Sequence, residues 1–349
     1  MRAKNTGVDS ALEARAYRRV TLRLVPFLFL CYVVAYLDRV NVGFAKLQML
    51  HDLRMSDTAY GIGAGIFFIG YFLFEVPSNL ILHRVGARVW IARIMVTWGV
   101  ISILMMIVTG TTTFYLLRFL LGIAEAGFFP GIVLYLTHWY PSSRRAQILS
   151  LFLISGVIGG PLSGWILARM SGVSGLAGWQ WLFLLEGISS LVMGVATYLY
   201  LPDSIERAAW LPDDERRRLM QNLCAEAGGV EHASVFATLR DPRVILYAGI
   251  SFCFVMGLYG ITFWLPQLIK TMGVQDPVRI GVLSGIPSAA AGIAAINSIG
   301  NLAGFLSPYL IGVVKDAAGE ATFGLYVMAV FMLLGTVLVI IATREATTA

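Results

Sequence analysis

YLDRVNVGFA, from Tyr36 to Ala45, places an acid and a base side by side in a stretch that is otherwise apolar enough to cross a lipid bilayer. The uninterrupted apolar run before this pair has 14 residues, from Leu24 to Leu37. A spanning helix needs roughly 20 residues, so the helix must continue through Asp38 and Arg39. Each charge inside a span costs about 2.5 to 3.5 kcal/mol, which makes this pair a functional-site hypothesis.

The composition predicts an all-α integral membrane protein. Of the 349 residues, 58% are hydrophobic and 13% are charged, and the mean hydropathy is +0.76. Soluble proteins carry about 25% charged residues. The apolar runs have the length of helices rather than of short barrel strands, so a lipid bilayer is the expected surroundings.

Nine apolar segments are long enough to be considered as spans. They lie at about residues 22–46, 59–82, 89–109, 113–138, 146–168, 180–201, 244–269, 280–314 and 321–342. The long polar segment 202–243 divides them into two groups. We predict a tail (1–21), a six-helix bundle (22–201), a cytoplasmic linker (202–243), an incomplete second bundle (244–342) and a C-terminal tail (343–349). The charged run in the linker is typical of a solvated helix, with a partner-binding site as the alternative.

The positive charges predict the orientation. The N-terminal segment and the loops after spans two, four and six, counted together with the basic residues near the adjoining span ends, carry 17 Lys and Arg, whereas the alternate loops counted in the same way carry five. Since positive residues stay on the cytoplasmic side, the N-terminus is expected to be cytoplasmic, in a multi-pass protein of the inner membrane. The net charge of +6 is spread over these loops, so nucleic acid is not an expected partner.

The segment 280–314 does not fit a simple span. Its 35 residues are too many for one ordinary span and too few for two spans with a turn. We interpret it as a junction near Ile286, Pro287 and Ser288, where the start of one helix meets the start of another. The fold would then have about nine to ten transmembrane helices instead of twelve.

Several runs together resemble the major facilitator superfamily and, within it, the anion:cation symporter family, with most similarity to tartrate and other hydroxy-acid transporters. These runs are YLDRVNVGFA (36–45), FIGYFLFEVPSN (68–79), RFLLGIAEAGFFPG (118–131), PSSRRA (141–146), GLYGITFWLP (257–266) and NSIGN (297–301). The resemblance implies a two-bundle transporter fold. It also implies that about 80 residues of the second half are missing, at roughly 20 per span plus connections.

The resemblance also implies roles for particular residues. Asp38 and Glu125 would carry protons, Arg39 would hold a substrate carboxylate, and Arg118 would be their partner. The family's loop after the second span is present as NLILHRVGAR (79–88), which keeps Arg84, Gly86 and Arg88 as gating residues. His83 stands where an acid is usual.

The residues themselves favour an anion site. Arg118, Gly122 and Glu125 share one helix face, and Gly122 is expected to leave space between the two charges. With both acids protonated, Arg39 and Arg118 would remain as two cations, which a dicarboxylate would balance, and arginine offers a fork that fits a carboxylate. The alternative is that Arg118 and Glu125 only hold two helices together.

Neutral side chains extend the candidate site. Tyr36, Tyr71, Asn297 and Asn301 could bind substrate hydroxyls, although each tyrosine could equally serve helix packing. Two further acids, Glu75 and Glu186, are expected nearer the span ends in wetted, structural positions.

The sequence therefore predicts a secondary active transporter: a proton-coupled symporter of an organic anion that works by alternating access. The expected partners are a small organic anion and protons, and the expected state is a monomer. We found no nucleophile motif, no nucleotide-binding fingerprint and no metal-ligand spacing, so neither an enzyme nor a cofactor is expected. The alternative is a truncated, binding-only remnant of such a transporter.

Overall fold

The computed structural model describes residues 2–152, 155–227, 242–291, 300–319 and 322–348. All regular secondary structure in these ranges is helical. The helices are α1 (Arg2–Asp52), α2 (Asp57–Val85), α3 (Ala87–Met105), α4 (Thr111–Glu125), α5 (Phe128–Thr137), α6 (Ser142–Phe152), α7 (Ser155–Met170), α8 (Gly178–Tyr200), α9 (Asp213–Ala227), α10 (Pro242–Thr271), α11 (Pro277–Ala291), α12 (Gly300–Ala318) and α13 (Thr322–Thr348), with a short 3₁₀ turn at Val173–Gly175.

Eight segments of the described chain are long and apolar enough to cross a membrane. α4 and α5 together form one of them, and α6 and α7 form another. The predicted segment 280–314 is divided between α11 and α12, with 292–299 outside the described residues. α11 continues through Ile286, Pro287 and Ser288 to Ala291, so the residues of the expected junction lie inside one helix.

The N-terminal segment is not a separate tail, because α1 is one helix of 51 residues that includes it. Its inner face is buried at Tyr17 and Val20. α9 of the linker packs against this end of α1, where Arg15 Nε lies 3.1 Å from Glu215 Oε1. The Glu215 side chain is only 1% exposed, so the expectation of a merely solvated linker helix is wrong for this face.

Two groups of helices pack against each other, a first bundle (α1–α8) and a second bundle (α10–α13). The contacts between them pair α2 with α12, α7 with α11 and α1 with α10. Glycines bring the backbones together: a Cβ at Gly160 would lie 2.5 Å from the carbonyl oxygen of Gly281, and a Cβ at Gly65 would lie 2.6 Å from that of Phe305. Small residues in these helices therefore serve close packing.

Candidate functional site

Arg39 lies where the two bundles meet. Its Nη2 forms an ion pair with Glu125 Oε1 on α4, and its Nη1 donates a hydrogen bond of 3.3 Å to the hydroxyl of Tyr259 on α10. The guanidinium also lies 5.3 Å from the ring centroid of Tyr71 and 5.8 Å from that of Phe67. One arginine therefore contacts a carboxylate of the first bundle and a phenol of the second.

A break in the fourth span positions Glu125. α4 ends at this residue, and Gly127 follows with φ +88°, a conformation that favours glycine. A Cβ at Gly127 would overlap Ser78 of α2, and Ser78 Oγ donates 2.6 Å to the carbonyl of Ala126. The break is thus fixed by α2, and it leaves the carboxylate at a helix end facing Arg39.

Arg118 has a different environment from the one predicted. It is fully buried, and its guanidinium donates to the backbone oxygens of Gly63 (3.3 Å) and Ala64 (3.2 Å) on α2. The ion pairs among the described residues do not include it. Gly122 does not open space for a ligand either, because a Cβ there would overlap the backbone of Phe67. In this conformation Arg118 holds α4 against α2.

Asp38 points into the first bundle, away from Arg39. Ser102 of α3 donates to its Oδ1, and Asn41 Nδ2 donates to the same oxygen at 3.3 Å. The same Asn41 nitrogen donates to Glu186 Oε2 of α8 at 2.7 Å, and Ser163 Oγ donates to Glu186 Oε1 at 3.4 Å. Adjacent residues on α1 therefore serve two different polar clusters.

The sequence interpretation missed Asn41 and misplaced Glu186. Glu186 is 3% exposed and lies inside the first bundle rather than in a wetted position near a span end. Asn41 is three residues after Asp38, a spacing that places both on one face of α1 and could have identified it. Tyr259 was also missed as a site residue, although its run contributed to the family resemblance.

The other predicted ligands lie in different places. Tyr71 is buried beside Arg39. Tyr36 lies near α7, where a Cβ at Gly159 would be 3.6 Å from its ring. Asn297 lies outside the described residues, and Asn301 is described only as part of α12.

The predicted gating residues lie at the turn between α2 and α3. Gly86 has φ +97°, and Arg84 is exposed at the end of α2. Arg88 Nε lies 3.3 Å from Asp203 Oδ1, beyond the end of α8. Asp203 thus supplies a carboxylate to this turn.

A cluster of charges at the opposite end of the bundles was not predicted. Lys46 Nζ and Lys315 Nζ both contact Asp57, at 2.8 and 2.7 Å. Asp316 of α12 accepts a 2.7 Å hydrogen bond from the backbone nitrogen of Thr58. We call these five residues the Asp57 cluster; it joins α1 and α2 of the first bundle to α12 of the second.

A surface cavity of about 540 Å³ lies between the ends of α5 and α8 and the linker helix α9, with His138, Asp203 and Cys224 in its wall. Burial lowers the pKa of His138, and nearby His83 lowers it further. Among the described residues, no group of three or more His, Cys, Asp or Glu could hold a metal ion.

The helical topology and the buried charges between two packed bundles define a polytopic membrane protein of the transporter class. A family model described as Major Facilitator Superfamily matches residues 28–342. This chain belongs to the major facilitator superfamily.

Named relatives agree with this class. A protein of Agrobacterium vitis, provisionally named a tartrate transporter, is 43% identical over 422 aligned residues that cover 97% of this chain and 94% of the relative. The metabolite transport protein NicT of Pseudomonas putida is 48% identical over 90% of this chain and 75% of its own length. These relatives are named transporters, not enzymes. Since 97% of 349 residues is about 339, roughly 80 of the 422 aligned positions have no counterpart in this chain.

Solved structures show the same fold at low identity. A bacterial homologue of the human lysosomal transporter Spinster aligns with a TM-score of 0.64 at 14% identity, covering 94% of this chain and 97% of that one. The xylose transporter XylE of E. coli aligns with a TM-score of 0.62 at 13% identity, covering 90% of this chain and 97% of that one.

Proposed function

We propose that this protein is a proton-coupled symporter of an organic anion, a tartrate-like hydroxy acid or a related carboxylate, and that it works by alternating access. The observation that carries the proposal is the contact of Arg39 with both Glu125 and Tyr259. A buried arginine that pairs with a carboxylate between two bundles can exchange that carboxylate for one on a substrate.

The exchange depends on a proton. While Glu125 is ionised, it occupies the guanidinium of Arg39. Protonation of Glu125 removes its charge and leaves Arg39 to bind a substrate carboxylate with two parallel hydrogen bonds. Tyr71 and Tyr259, which lie beside the same guanidinium, would bind the substrate hydroxyls.

Arg118 and Asp38 act on Arg39 and Glu125 indirectly in this scheme. Arg118 interacts electrostatically with both Asp38 and Glu125 while it holds α4 to the backbone of α2. Its fixed charge would help to offset the two acids. Asp38 would be a second proton carrier, inside the first bundle. Its protonation state would affect Glu125 electrostatically, because both acids interact with each other and with Arg118.

The loop charges support the proposed orientation, in which the N-terminus is on the cytoplasmic side of the inner membrane. We propose separately that the protein acts as a monomer. The Asp57 cluster then lies at the outer end, where it closes the path between the bundles. Alternating access requires this cluster to separate when the outer side opens.

Uptake into proteoliposomes tests the proposal. With an inward proton gradient, labelled tartrate or a related acid should accumulate above its external concentration, and a proton ionophore should abolish the accumulation. A thermal-shift screen over tartrate, sugar acids and aromatic acids identifies the substrate beforehand, because a ligand that binds the folded state stabilises it.

A second candidate is a binding-only remnant of such a transporter. This alternative is favoured by the roughly 80 aligned positions that the chain lacks. About 339 of its residues are matched over 422 aligned positions. Stabilisation by a carboxylate without gradient-driven accumulation would establish this alternative.

A further inference from the structure

Asp38 and Glu186 are two buried acids bound to one amide. Asn41 Nδ2 carries two hydrogens and donates to both carboxyl groups, at 3.3 Å to Asp38 Oδ1 and 2.7 Å to Glu186 Oε2. All three side chains are at most 3% exposed. Asp38 lies on α1 and Glu186 lies on α8, so the connection is a tertiary contact and not a contact within one helix.

No Lys, Arg or His among the described residues forms an ion pair with either acid within 4.0 Å, whereas Glu125 has Arg39. A buried carboxylate without a cation is costly, and two neighbouring carboxylates in such a site cannot both ionise without strong repulsion. One Asp38 oxygen, Oδ2, also has no hydrogen-bond partner. This is the arrangement expected of an acid pair that retains a proton.

The other charged groups that interact with the pair do not supply the cation that it lacks. Arg118 and Glu125 of α4 both interact electrostatically with Asp38, and their opposite charges oppose each other. Glu186 interacts with Asp38 as its charged neighbour. Its remaining contacts are hydrogen bonds from Asn41 and Ser163, which are neutral.

We infer that Asp38 and Glu186, bridged by Asn41, form a coupled acid pair that holds at least one proton in common, and that Glu186 is a further proton-binding residue. When Asp38 releases a proton, Glu186 keeps its own, and Asn41 donates to whichever carboxylate is ionised. The role of the pair in transport rests on the proposed function, whereas the coupling itself does not.

Infrared titration of the purified protein in liposomes tests the coupling without transport. The C=O stretching band of protonated carboxyl groups is followed against pH in the wild type, D38N, E186Q and the double variant. After subtraction of the double variant's spectrum, the intensity of this band in the wild type should fall in two steps as the pH rises. The two steps should be separated by more than about one pH unit, as for interacting sites. Each single variant should retain one step and lose the more alkaline of the two.

Glu75→Gln is the matched control, because Glu75 is equally buried, on α2. It should leave both steps in place. D38N and E186Q test the pair from opposite sides, so either single variant, measured against the double variant as the baseline, is sufficient. If the two acids titrate independently, D38N leaves the titration step of Glu186 at the same pH as in the wild type. That result would overturn the inference.

Uptake measurements then separate this inference from the proposed function. E186Q should retain substrate counterflow but show an altered pH dependence of gradient-driven uptake, and an unaltered profile would contradict a role for Glu186 in coupling. A wild type that fails to accumulate substrate would refute the proposed function, while the two-step titration would still decide whether the acid pair exists.

Discussion

The carboxylate of Asp57 lies 2.7 Å from the ammonium nitrogen of Lys315, and this ion pair joins α2 of the first bundle to α12 of the second. The same carboxylate lies 2.8 Å from Lys46 Nζ, whose side chain is fully buried. One carboxylate therefore contacts two cations from helices distant in sequence.

Asp57→Asn should lower the thermal stability of the protein strongly. It leaves Lys46 and Lys315 without their carboxylate, and loss of one partner from a buried pair typically costs about 3 to 5 kcal/mol. The melting temperature of the purified protein measures the effect. Asp276→Asn is the control, because Asp276 pairs with Arg279 in an exposed position, where an ion pair contributes about 0 to 1 kcal/mol. Equal shifts for the two variants would contradict a special role for Asp57.

Arg39→Lys should weaken substrate binding by roughly tenfold or more, because lysine lacks the planar fork that binds a carboxylate through two hydrogen bonds. The concentration dependence of the thermal shift gives the affinity. Arg93→Lys serves as the control, since Arg93 lies over Trp90, 3.9 Å from its ring centroid, and not at Arg39. Unchanged affinity in Arg39→Lys would remove Arg39 from the substrate site.

Tyr259→Phe should weaken the contact between α10 and α1. It removes the acceptor of a hydrogen bond from Arg39, and a hydrogen bond to a charged group contributes about 1.5 to 3 kcal/mol. A lower melting temperature of the ligand-free protein is the expected result. Tyr247→Phe, on the same helix but 57% exposed, should leave the melting temperature unchanged.

Asp38→Asn should abolish proton-driven accumulation and leave counterflow intact, because the amide keeps the size of the side chain but binds no exchangeable proton at this position. Both activities are measured in the same proteoliposomes. Glu75→Gln, which removes another buried acid, should retain uphill uptake. Full uphill uptake by Asp38→Asn would show that Asp38 does not carry the proton.

Gly160→Ala should separate α7 from α11. The added Cβ would lie 2.5 Å from the carbonyl oxygen of Gly281, closer than real Cβ contacts, so a backbone must move. A lower melting temperature is expected. Gly249→Ala is the control, because the nearest atom to its added Cβ is 3.8 Å away, and a comparable loss there would mean that alanine itself is not tolerated in these helices.

The helical class and the buried position of the charged residues could be predicted because hydrocarbon restricts which sequences can span it. The prediction of Arg39 and Glu125 as site residues followed from the same cost of burying charged groups. Their partners could not be predicted, since a helix face gives only a direction. Arg118 and Glu125 do share a face, yet Arg118 bonds to the backbone of α2 and Glu125 to Arg39.

The tertiary partners of Asp38 show the same limit. Asn41 is close in sequence, but Glu186 is 145 residues beyond Asn41, on α8. We predicted a wetted place for Glu186 from its position within an apolar segment. The prediction failed because sequence distance from a span end says nothing about which helices cover that turn. The Asp57 cluster was missed for a related reason: Lys46 and Asp57 lie near helix ends, where charge is ordinary.

The length of α1 has a mechanical consequence. At 1.5 Å per residue, its 51 residues extend for about 77 Å, and Arg15, Arg39 and Lys46 are all fixed along this one rod. About 36 Å separates Arg15 from Arg39, and about 10 Å separates Arg39 from Lys46. Because all three lie on one helix, a small tilt of α1 would move the linker contact, the proposed substrate arginine and the Asp57 cluster together.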